Sequence, residues 1–257
     1  MEKKNQENKN QENRNVTIRV RRFDAKEQLL KSSAFQVSAN RFSTVLGELI
    51  GIKEAQDPSL SIRYSCRMGI CGSCGMVING KPRLACETNV FSLDTDEVIV
   101  EPMRGHPVLK DLVCDFGEFF DNHRKVMPWL MRNNMKEKFR NDVEHTQTRR
   151  QLDRFLPFSY CIKCGLCVDA CPVVNTNSAF VGPQALAAVR RYNEDSRDQG
   201  IKQRLVAIDV KDGIWGCEYA GACSAVCPKG VDPALAIQLL KMDIMKRKFI
   251  GSNKSKE

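Results

Sequence analysis

The sequence predicts an α+β protein of two domains, a small mixed sheet followed by an all-α part. Two alternating stretches, VTIRVRR at 16–22 and AFQVSA at 34–39, are typical of half-buried strands that pair with each other. From Tyr160 onward, helix-forming stretches alternate with short loops that contain cysteine. A chain of 257 residues is also long enough for two domains that each bury a core.

The first domain is predicted over residues 16–105. After the two opening strands, Ser43 is expected to cap a short helix that continues to residue 50. Asn79-Gly80 is a strong signal for a two-residue turn, so the segments on either side of it are predicted to form a hairpin. One further strand is predicted over 97–100.

The segments outside the first domain differ from it in composition and in the spacing of their apolar residues. Residues 1–15, MEKKNQENKNQENRN, are polar and are predicted to form a disordered tail. Apolar residues at helical spacing from Val108 onward predict a helical connector over 106–150. The helical domain is then predicted over 151–257, where Asp232-Pro233 is a good helix start.

Composition limits the function classes. The twelve cysteines follow no signal peptide, so a reducing compartment and metal binding are expected rather than disulfides. No stretch is apolar enough to span a membrane, so any membrane role is expected to be peripheral. The net charge of +9 suggests an anionic partner, but no nucleic-acid-binding motif accompanies it. No nucleic acid is therefore expected among the partners.

The first four cysteines have the plant-type ferredoxin spacing C-x4-C-x2-C…C of a [2Fe–2S] site. The predicted ligands are Cys66, Cys71, Cys74 and Cys86. Gly69, Gly72 and Gly75 are expected to let the loop turn its N–H groups inward, because glycine tolerates positive φ. A structural zinc ion, which also takes four cysteines, is the alternative. A Rieske site is excluded because the three histidines lie outside both cysteine clusters.

A complete bacterial-ferredoxin run, C-x2-C-x2-C-x3-C-P, begins at Cys161. The fourth cysteine of such a run binds the other cluster of a pair, so the ligands of the two clusters cross. The predicted [4Fe–4S] ligands are Cys161, Cys164, Cys167 and Cys227. The ligands predicted for the second cluster are Cys171, Cys217 and Cys223.

The second run, at 217–227, lacks one ligand because Ala220 stands where the spacing requires cysteine. A cluster with three thiolates and a methyl group at the vacant corner is expected to lose that iron and persist as [3Fe–4S]. The alternative is that Ala220 serves only local packing, and that water or a distant group binds a fourth iron.

Cys114 is left over, and its neighbours Leu112, Val113 and Phe116 predict an inert buried thiol. Three clusters in one chain predict an electron-transfer protein. No G-x-G-x-x-G motif opens a helix after a strand, and no nucleophile set stands out. The substrate is therefore expected to react on a partner chain.

Five stretches carry a more specific resemblance. They are SCRMGICGSCG at 65–75, CIKCGLCVDACP at 161–172, FVGPQ at 180–184, RYNEDSRDQG at 191–200 and CSAVCPKGVDP at 223–233. Together they resemble the iron–sulfur subunit of succinate dehydrogenase/fumarate reductase. Both are oxidoreductases, and succinate dehydrogenase is an enzyme of the tricarboxylic acid cycle. The similarity runs from about Val16 to about Lys248, which is nearly the whole chain.

The resemblance implies a β-grasp, plant-type ferredoxin domain followed by an all-α, bacterial-ferredoxin-like domain. It implies a flavoprotein partner with covalent FAD, one or more membrane anchor subunits, and electron transfer in the order FAD, [2Fe–2S], [4Fe–4S], [3Fe–4S], quinone. It places the chain at the cytoplasmic face of the cell membrane, where a basic surface suits an anionic leaflet. No catalytic residue is expected in this chain.

The family's quinone-site residues correspond here to Pro172, Gln238 and Lys241. A lysine that only decorates a basic C-terminal helix is the alternative for Lys241. Many succinate dehydrogenases carry a tryptophan pair where this chain has Asn175 and Thr176, and a histidine where it has Glu218. These differences point towards fumarate reductases and a menaquinone-type partner. A thiol-linked fumarate reductase is the alternative function, although such chains normally carry an extra cysteine-rich C-terminal domain.

Overall fold

The computed structural model of the protein describes residues 13–24, 29–133, 142 and 144–254. Within them the chain divides into two units. The first unit is the chain up to Phe116 together with Cys164–Asp169, and the second is Gly117–Lys163 together with the chain from Ala170 onward. The segment Cys164–Asp169, predicted as part of the helical domain, is therefore grouped with the sheet.

The mixed sheet predicted for the first unit has five strands. They are β1 (Asn13–Asp24), β2 (Leu29–Asn40), β3 (Gly75–Ile78), β4 (Lys81–Leu84) and β5 (Glu97–Glu101). Their order across the sheet is β2-β1-β5-β3-β4. Only β1 and β5 pair in parallel, and the other neighbours are antiparallel. The sheet and the helices together confirm the α+β class.

Strand β1 begins before its predicted start. Asn13 already pairs with Asn40 at the end of β2, so residues 13–15 are strand and not part of a disordered tail. The polar composition that suggested a tail was misleading here because backbone pairing does not require apolar side chains. Val16, Ile18 and Val20 are fully buried, as the alternation predicts. Residues 1–12 lie outside the described chain.

Helix α1 (Val45–Ala55) packs an apolar set of side chains into the core of the first unit. The predicted cap, Ser43, is wrong by one residue. Thr44 Oγ1 accepts the hydrogen bond from Gly47 N at 3.1 Å, whereas Ser43 Oγ accepts from Asn40 N. The buried residues of α1 are Val45, Leu46, Leu49, Ile50 and Ile52.

The hairpin predicted at Asn79-Gly80 is confirmed between β3 and β4. Asn79 has φ of 47° and Gly80 has φ of 74°, which suits the positive φ values of a type I′ turn. The Asn79 side chain also accepts a hydrogen bond from Ile99 N at 2.7 Å, so the turn is tied to β5.

The helical spacing predicted from Val108 is wrong for the first residues of the connector. This stretch forms a small hairpin of β6 (Val108–Lys110) and β7 (Val113–Cys114). Asp111 sits between the strands with φ of 50°, and its carboxylate accepts hydrogen bonds from Arg22 Nε and Ser61 N, both at 2.8 Å. These distant partners fix a turn that local periodicity could not reveal.

The described part of the second unit contains helices but no strand, which confirms the all-α prediction. In chain order the helices after β7 are α2 (Gly117–Lys125), α3 (Arg149–Ser159), α4 (Leu166–Asp169, in the first unit), α5 (Pro172–Thr176), α6 (Pro183–Asn193), α7 (Ile201–Ile208), α8 (Ala222–Ala225) and α9 (Pro233–Lys254). Among the described residues, no helix has the length and apolar character needed to cross a membrane.

A fully buried ion pair fastens the loop after α2 to α7. Arg204 donates to both carboxylate oxygens of Asp198 at 2.7 Å, and it also donates to the carbonyls of Met127 and Trp129. Asp198 in turn accepts from Met131 N at 3.0 Å. Because every polar atom of this pair is removed from water, loss of one partner leaves the others unsatisfied.

Arg204→Met is therefore expected to destabilise the chain by about 3–5 kcal/mol, since it leaves a buried carboxylate without its partner. The thermal unfolding midpoint of the protein with its cofactors measures the effect. Lys248→Met is the matched control, because Lys248 pairs with Asp209 while 61% exposed and should cost less than about 1 kcal/mol. Equal midpoints for the two variants would contradict the role of the buried pair.

Candidate metal centres

The first cysteine loop, which carries Cys66, Cys71 and Cys74, lies between α1 and β3. Cys74 directly precedes β3 and Cys86 follows shortly after β4, so the β3–β4 hairpin fixes both. The sulfur atoms of these two residues are 3.3 Å apart and buried. Cys66 is half-buried and Cys71 is exposed. The loop thus presents sulfur atoms that range from buried to solvent-facing.

Backbone amides surround the sulfur atoms of this loop. The N–H groups of Ile70 and Cys71 donate to Cys66 Sγ at 3.3 and 3.2 Å. The N–H of Gly69 donates to Cys86 Sγ at 3.3 Å, and the N–H of Cys66 donates to Cys71 Sγ at 3.5 Å. These donors stabilise negative charge on sulfur, which is what thiolate ligands of an iron–sulfur cluster require.

The glycines of the loop act in two ways. Gly69 and Gly72 have φ of 71° and 74°, as expected. A Cβ on Gly69 would also lie 2.0 Å from Glu87 Oε1. Gly75 does not have positive φ, so the reason predicted for it is wrong. It is instead a place of close approach, because a Cβ there would lie 3.1 Å from the carbonyl oxygen of Cys164.

The thiols of this loop differ in acidity. The hydroxyl of Ser73, 3.0 Å from Cys71 Sγ, lowers the pKa of Cys71 to about 6. Burial raises the pKa of Cys74 to about 12. Cys71 therefore offers a thiolate at neutral pH, whereas Cys74 requires a bound metal to give up its proton.

The cysteines predicted for the [4Fe–4S] cluster fall into both units. Cys161 and Cys227 belong to the second unit, where both pack against an apolar core that includes Phe158. Cys164 and Cys167 belong to the segment grouped with the first unit. Lys163 and Gly165 have φ of 55° and 80°, so the backbone turns sharply within this run.

The three cysteines predicted for the last cluster line one cavity of the second unit together with Ala220. They are Cys171, Cys217 and Cys223. Burial raises the pKa of the Cys171 and Cys223 thiols. Tyr219 N donates to Cys217 Sγ at 3.4 Å. The cavity therefore offers three sulfur atoms, with the methyl group of Ala220 where the spacing would place a fourth, and this sulfur set fits a cluster with three cysteine ligands.

Cys114 is 3% exposed and lies outside these sets, as predicted. Its thiol donates to the carbonyl of Met103 across 3.7 Å, and burial raises its pKa. A protonated, buried thiol is a poor nucleophile and a poor metal ligand.

The predicted quinone-site residues lie on two helices of the second unit. Pro172, the first residue of α5, lines the cavity of the three sulfur atoms. Gln238 and Lys241 lie on α9, and neither is among the residues that line that cavity. Lys241 Nζ donates to the carbonyl of Cys217 at 2.9 Å and lies 5.9 Å from the ring centre of Trp215.

Two residues near the candidate sites were missed from the sequence, one beside a cysteine sulfur and one beside Lys241. Gln184, at the start of α6, places Nε2 3.8 Å from Cys161 Sγ. Trp215 lies beside Lys241 and donates to Asp209 at 2.6 Å. The FVGPQ stretch contains Gln184, but a glutamine after proline carries no signal for a contact with cysteine.

Comparisons with known proteins agree with this geometry. Residues 17–121 match a family model described as a 2Fe-2S iron-sulfur cluster binding domain, and residues 157–231 match one described as a 4Fe-4S dicluster domain. The matched ranges contain all eleven predicted ligands.

The chain is 49% identical over 209 residues to the fumarate reductase iron-sulfur subunit of Mycobacterium tuberculosis, covering 81% of this chain and 84% of the relative. It is 33% identical over 240 residues to the succinate dehydrogenase iron-sulfur subunit of Coxiella burnetii, covering 92% of this chain and 100% of the relative. A chain of the Mycobacterium smegmatis Sdh1 complex superposes with a TM-score of 0.81 at 26% identity, covering 92% of this chain and 98% of that one.

The identities are high over most of each relative, and the two cluster-binding domains follow each other in the order that the cysteine spacing predicts. The chain therefore belongs to the family of iron–sulfur subunits of succinate dehydrogenase and fumarate reductase, the electron-transfer components of these oxidoreductases.

Proposed function

We propose that this subunit passes electrons between the FAD of a flavoprotein subunit and a membrane quinone, through [2Fe–2S], [4Fe–4S] and [3Fe–4S] clusters in that order. The observation that carries the proposal is that the chain contains both kinds of site. One unit has a cysteine loop lined by backbone amides, and the other has a cavity lined by three cysteine sulfur atoms. Iron–sulfur clusters take up and release single electrons, so a series of them can connect two distant reactions.

The cysteines of the chain are proposed to divide among the clusters as their spacing indicates. Cys66, Cys71, Cys74 and Cys86 would hold [2Fe–2S]; Cys161, Cys164, Cys167 and Cys227 would hold [4Fe–4S]; Cys171, Cys217 and Cys223 would hold [3Fe–4S]. The amide donors of the first loop and the three-sulfur lining of the cavity support the first and last sets.

The flavoprotein is proposed to cover the first cysteine loop. Met68 and Ile70 lie between Cys66 and Cys71, and they are 70% and 60% exposed. Neighbouring apolar side chains at the surface are typical of a protein–protein contact. A flavoprotein bound over this loop would also shield the exposed Cys71 from water and bring it close to the partner's flavin.

The quinone is proposed to bind near the third cluster, against an anchor subunit at the cytoplasmic face of the membrane. Gln238 Nε2 is buried and has no hydrogen-bond partner among the described residues, so it is a donor available to a quinone oxygen. Lys241 is half-buried, unlike the exposed basic residues Lys246–Lys248 that follow it, and its ammonium can stabilise a developing oxyanion. The net charge of +9 suits an anionic membrane surface.

A menaquinone-type partner is proposed over ubiquinone. Glu218, which stands where many succinate dehydrogenases have histidine, lines the cavity of the three sulfur atoms. Identities of 49% and 41% to fumarate reductase subunits, against 39% and 33% to succinate dehydrogenase subunits, favour the same assignment.

Ala220→Cys should convert the last cluster to a four-iron form, because it completes the C-x2-C-x2-C-x3-C-P run at the cavity. The added thiolate brings negative charge, so the reduction potential of that cluster should fall. Iron analysis and redox-titrated EPR measure both effects, and a fall of ~59 mV would mean a tenfold change in the one-electron equilibrium.

Ala225→Cys is the matched control, since Ala225 is exposed at the end of α8 and does not line the cavity. It should leave the iron content unchanged. A native protein that already holds four irons at this site would refute the three-iron assignment.

Lys241→Leu should reduce quinone-linked turnover by roughly 10²-fold, the usual effect of removing one donor to a developing oxyanion. Succinate oxidation with an artificial acceptor that draws electrons before the quinone should stay near the native rate. Lys246→Leu, which removes an exposed lysine of the same helix, should leave both rates unchanged. Equal losses in the two assays for Lys241→Leu would show a scaffold role instead.

A further inference from the structure

Gln184 is buried in a place where an amide is costly. Its side chain is part of the first turn of α6 and the residue is only 3% exposed. Its Oε1 atom has no hydrogen-bond partner among the described residues. An apolar side chain would avoid this cost, so packing alone does not explain a glutamine here.

The nitrogen of the same amide has two partners. Nε2 lies 3.2 Å from Nδ1 of His123 and 3.8 Å from Sγ of Cys161. A primary amide has two hydrogens, so it can donate to both acceptors at once. One side chain thereby connects α2, which carries His123, to the first cysteine of the 161–171 run.

Cys161 fixes which way the amide points, because a thiolate only accepts hydrogen bonds, and Nδ1 of His123 can accept from the same amide nitrogen. Burial, with a contribution from the nearby positive charge of Lys163, lowers the pKa of His123 to about 4, so the ring is neutral at neutral pH. With Nδ1 as acceptor, the ring carries its proton on Nε2. The opposite amide orientation would turn Oε1 towards a thiolate, and two acceptors would face each other.

On the proposed function, in which Cys161 is a cluster ligand, we infer that Gln184 is a positioning residue that donates an N–H to Cys161 Sγ and raises the reduction potential of the cluster. Hydrogen bonds to ligand sulfurs are among the features that set such potentials. The reduced cluster carries one more negative charge than the oxidised one, so a donor at the sulfur stabilises the reduced form more.

Only one of the three clusters should change its reduction potential. Cys161 belongs to the set proposed for [4Fe–4S], and Gln184 is not among the residues that line the cavity of Cys171, Cys217 and Cys223. A change at Gln184 should therefore move a single potential, whereas a general loosening of the unit would move more than one.

Gln184→Leu tests the inference in the assembled complex by redox-titrated EPR. The reduction potential of the [4Fe–4S] cluster should fall by ~59 mV, which corresponds to a tenfold change in its one-electron equilibrium. The potentials of the other two clusters should not move. Gln203→Leu is the control, because Gln203 is an exposed glutamine of α7 in the same unit.

Gln184→Glu keeps the size of the side chain, replaces the donor by a carboxylate and should lower the potential further than leucine does. The Gln184→Glu variant tests the inference if Gln184→Leu does not retain the [4Fe–4S] cluster. Native potentials in both variants, or equal shifts at all three clusters, would overturn the inference. Loss of the cluster from both would overturn it too, because such a bond tunes a potential and does not carry assembly.

Cys161→Ser separates this inference from the proposed function. If the [4Fe–4S] spectrum is unchanged in that variant, the ligand assignment fails. If the spectrum changes in Cys161→Ser while the Gln184 variants keep the native potential, the ligand set stands and the hydrogen-bond inference alone is wrong.

Discussion

Negative charge on sulfur must be stabilised inside the protein, and the backbone N–H groups around the cysteines do this. Four amide donors point at sulfur atoms in the 66–86 loop alone. The loop can aim them because Gly69 and Gly72 adopt positive φ, and because the β3–β4 hairpin holds Cys74 and Cys86 in place. Sheet, turn and glycines are thus arranged around one electrostatic requirement.

The second unit meets the same requirement with helices. Its sulfur atoms lie in or next to short helices, as Cys223 does within α8 and Cys171 does directly before α5. Burial of Cys171 and Cys223 raises their pKa values, so metal binding must provide the driving force for deprotonation. Lys241 adds a cation at the carbonyl of Cys217, and Gln184 adds an amide donor at Cys161. Side chains here add to the backbone amide of Tyr219, which donates to Cys217 Sγ.

The parts that were predictable from sequence are local ones. Cysteine spacing, the Asn79-Gly80 turn and the alternation of β1 depend on residues close together in the chain. The hairpin at 108–114 was missed because Asp111 is fixed by Arg22, 89 residues away. The grouping of Cys164–Asp169 with the sheet and the contact of Gln184 with Cys161 likewise arise from tertiary packing, which spacing alone does not encode.

The most direct test of the three-cluster arrangement is the iron and acid-labile sulfide content of the native complex, combined with EPR of its oxidised and stepwise reduced states. Three separate signals are expected, from centres of two, four and three irons. Bound zinc in place of iron, or fewer than three paramagnetic centres in a fully loaded complex, would contradict it.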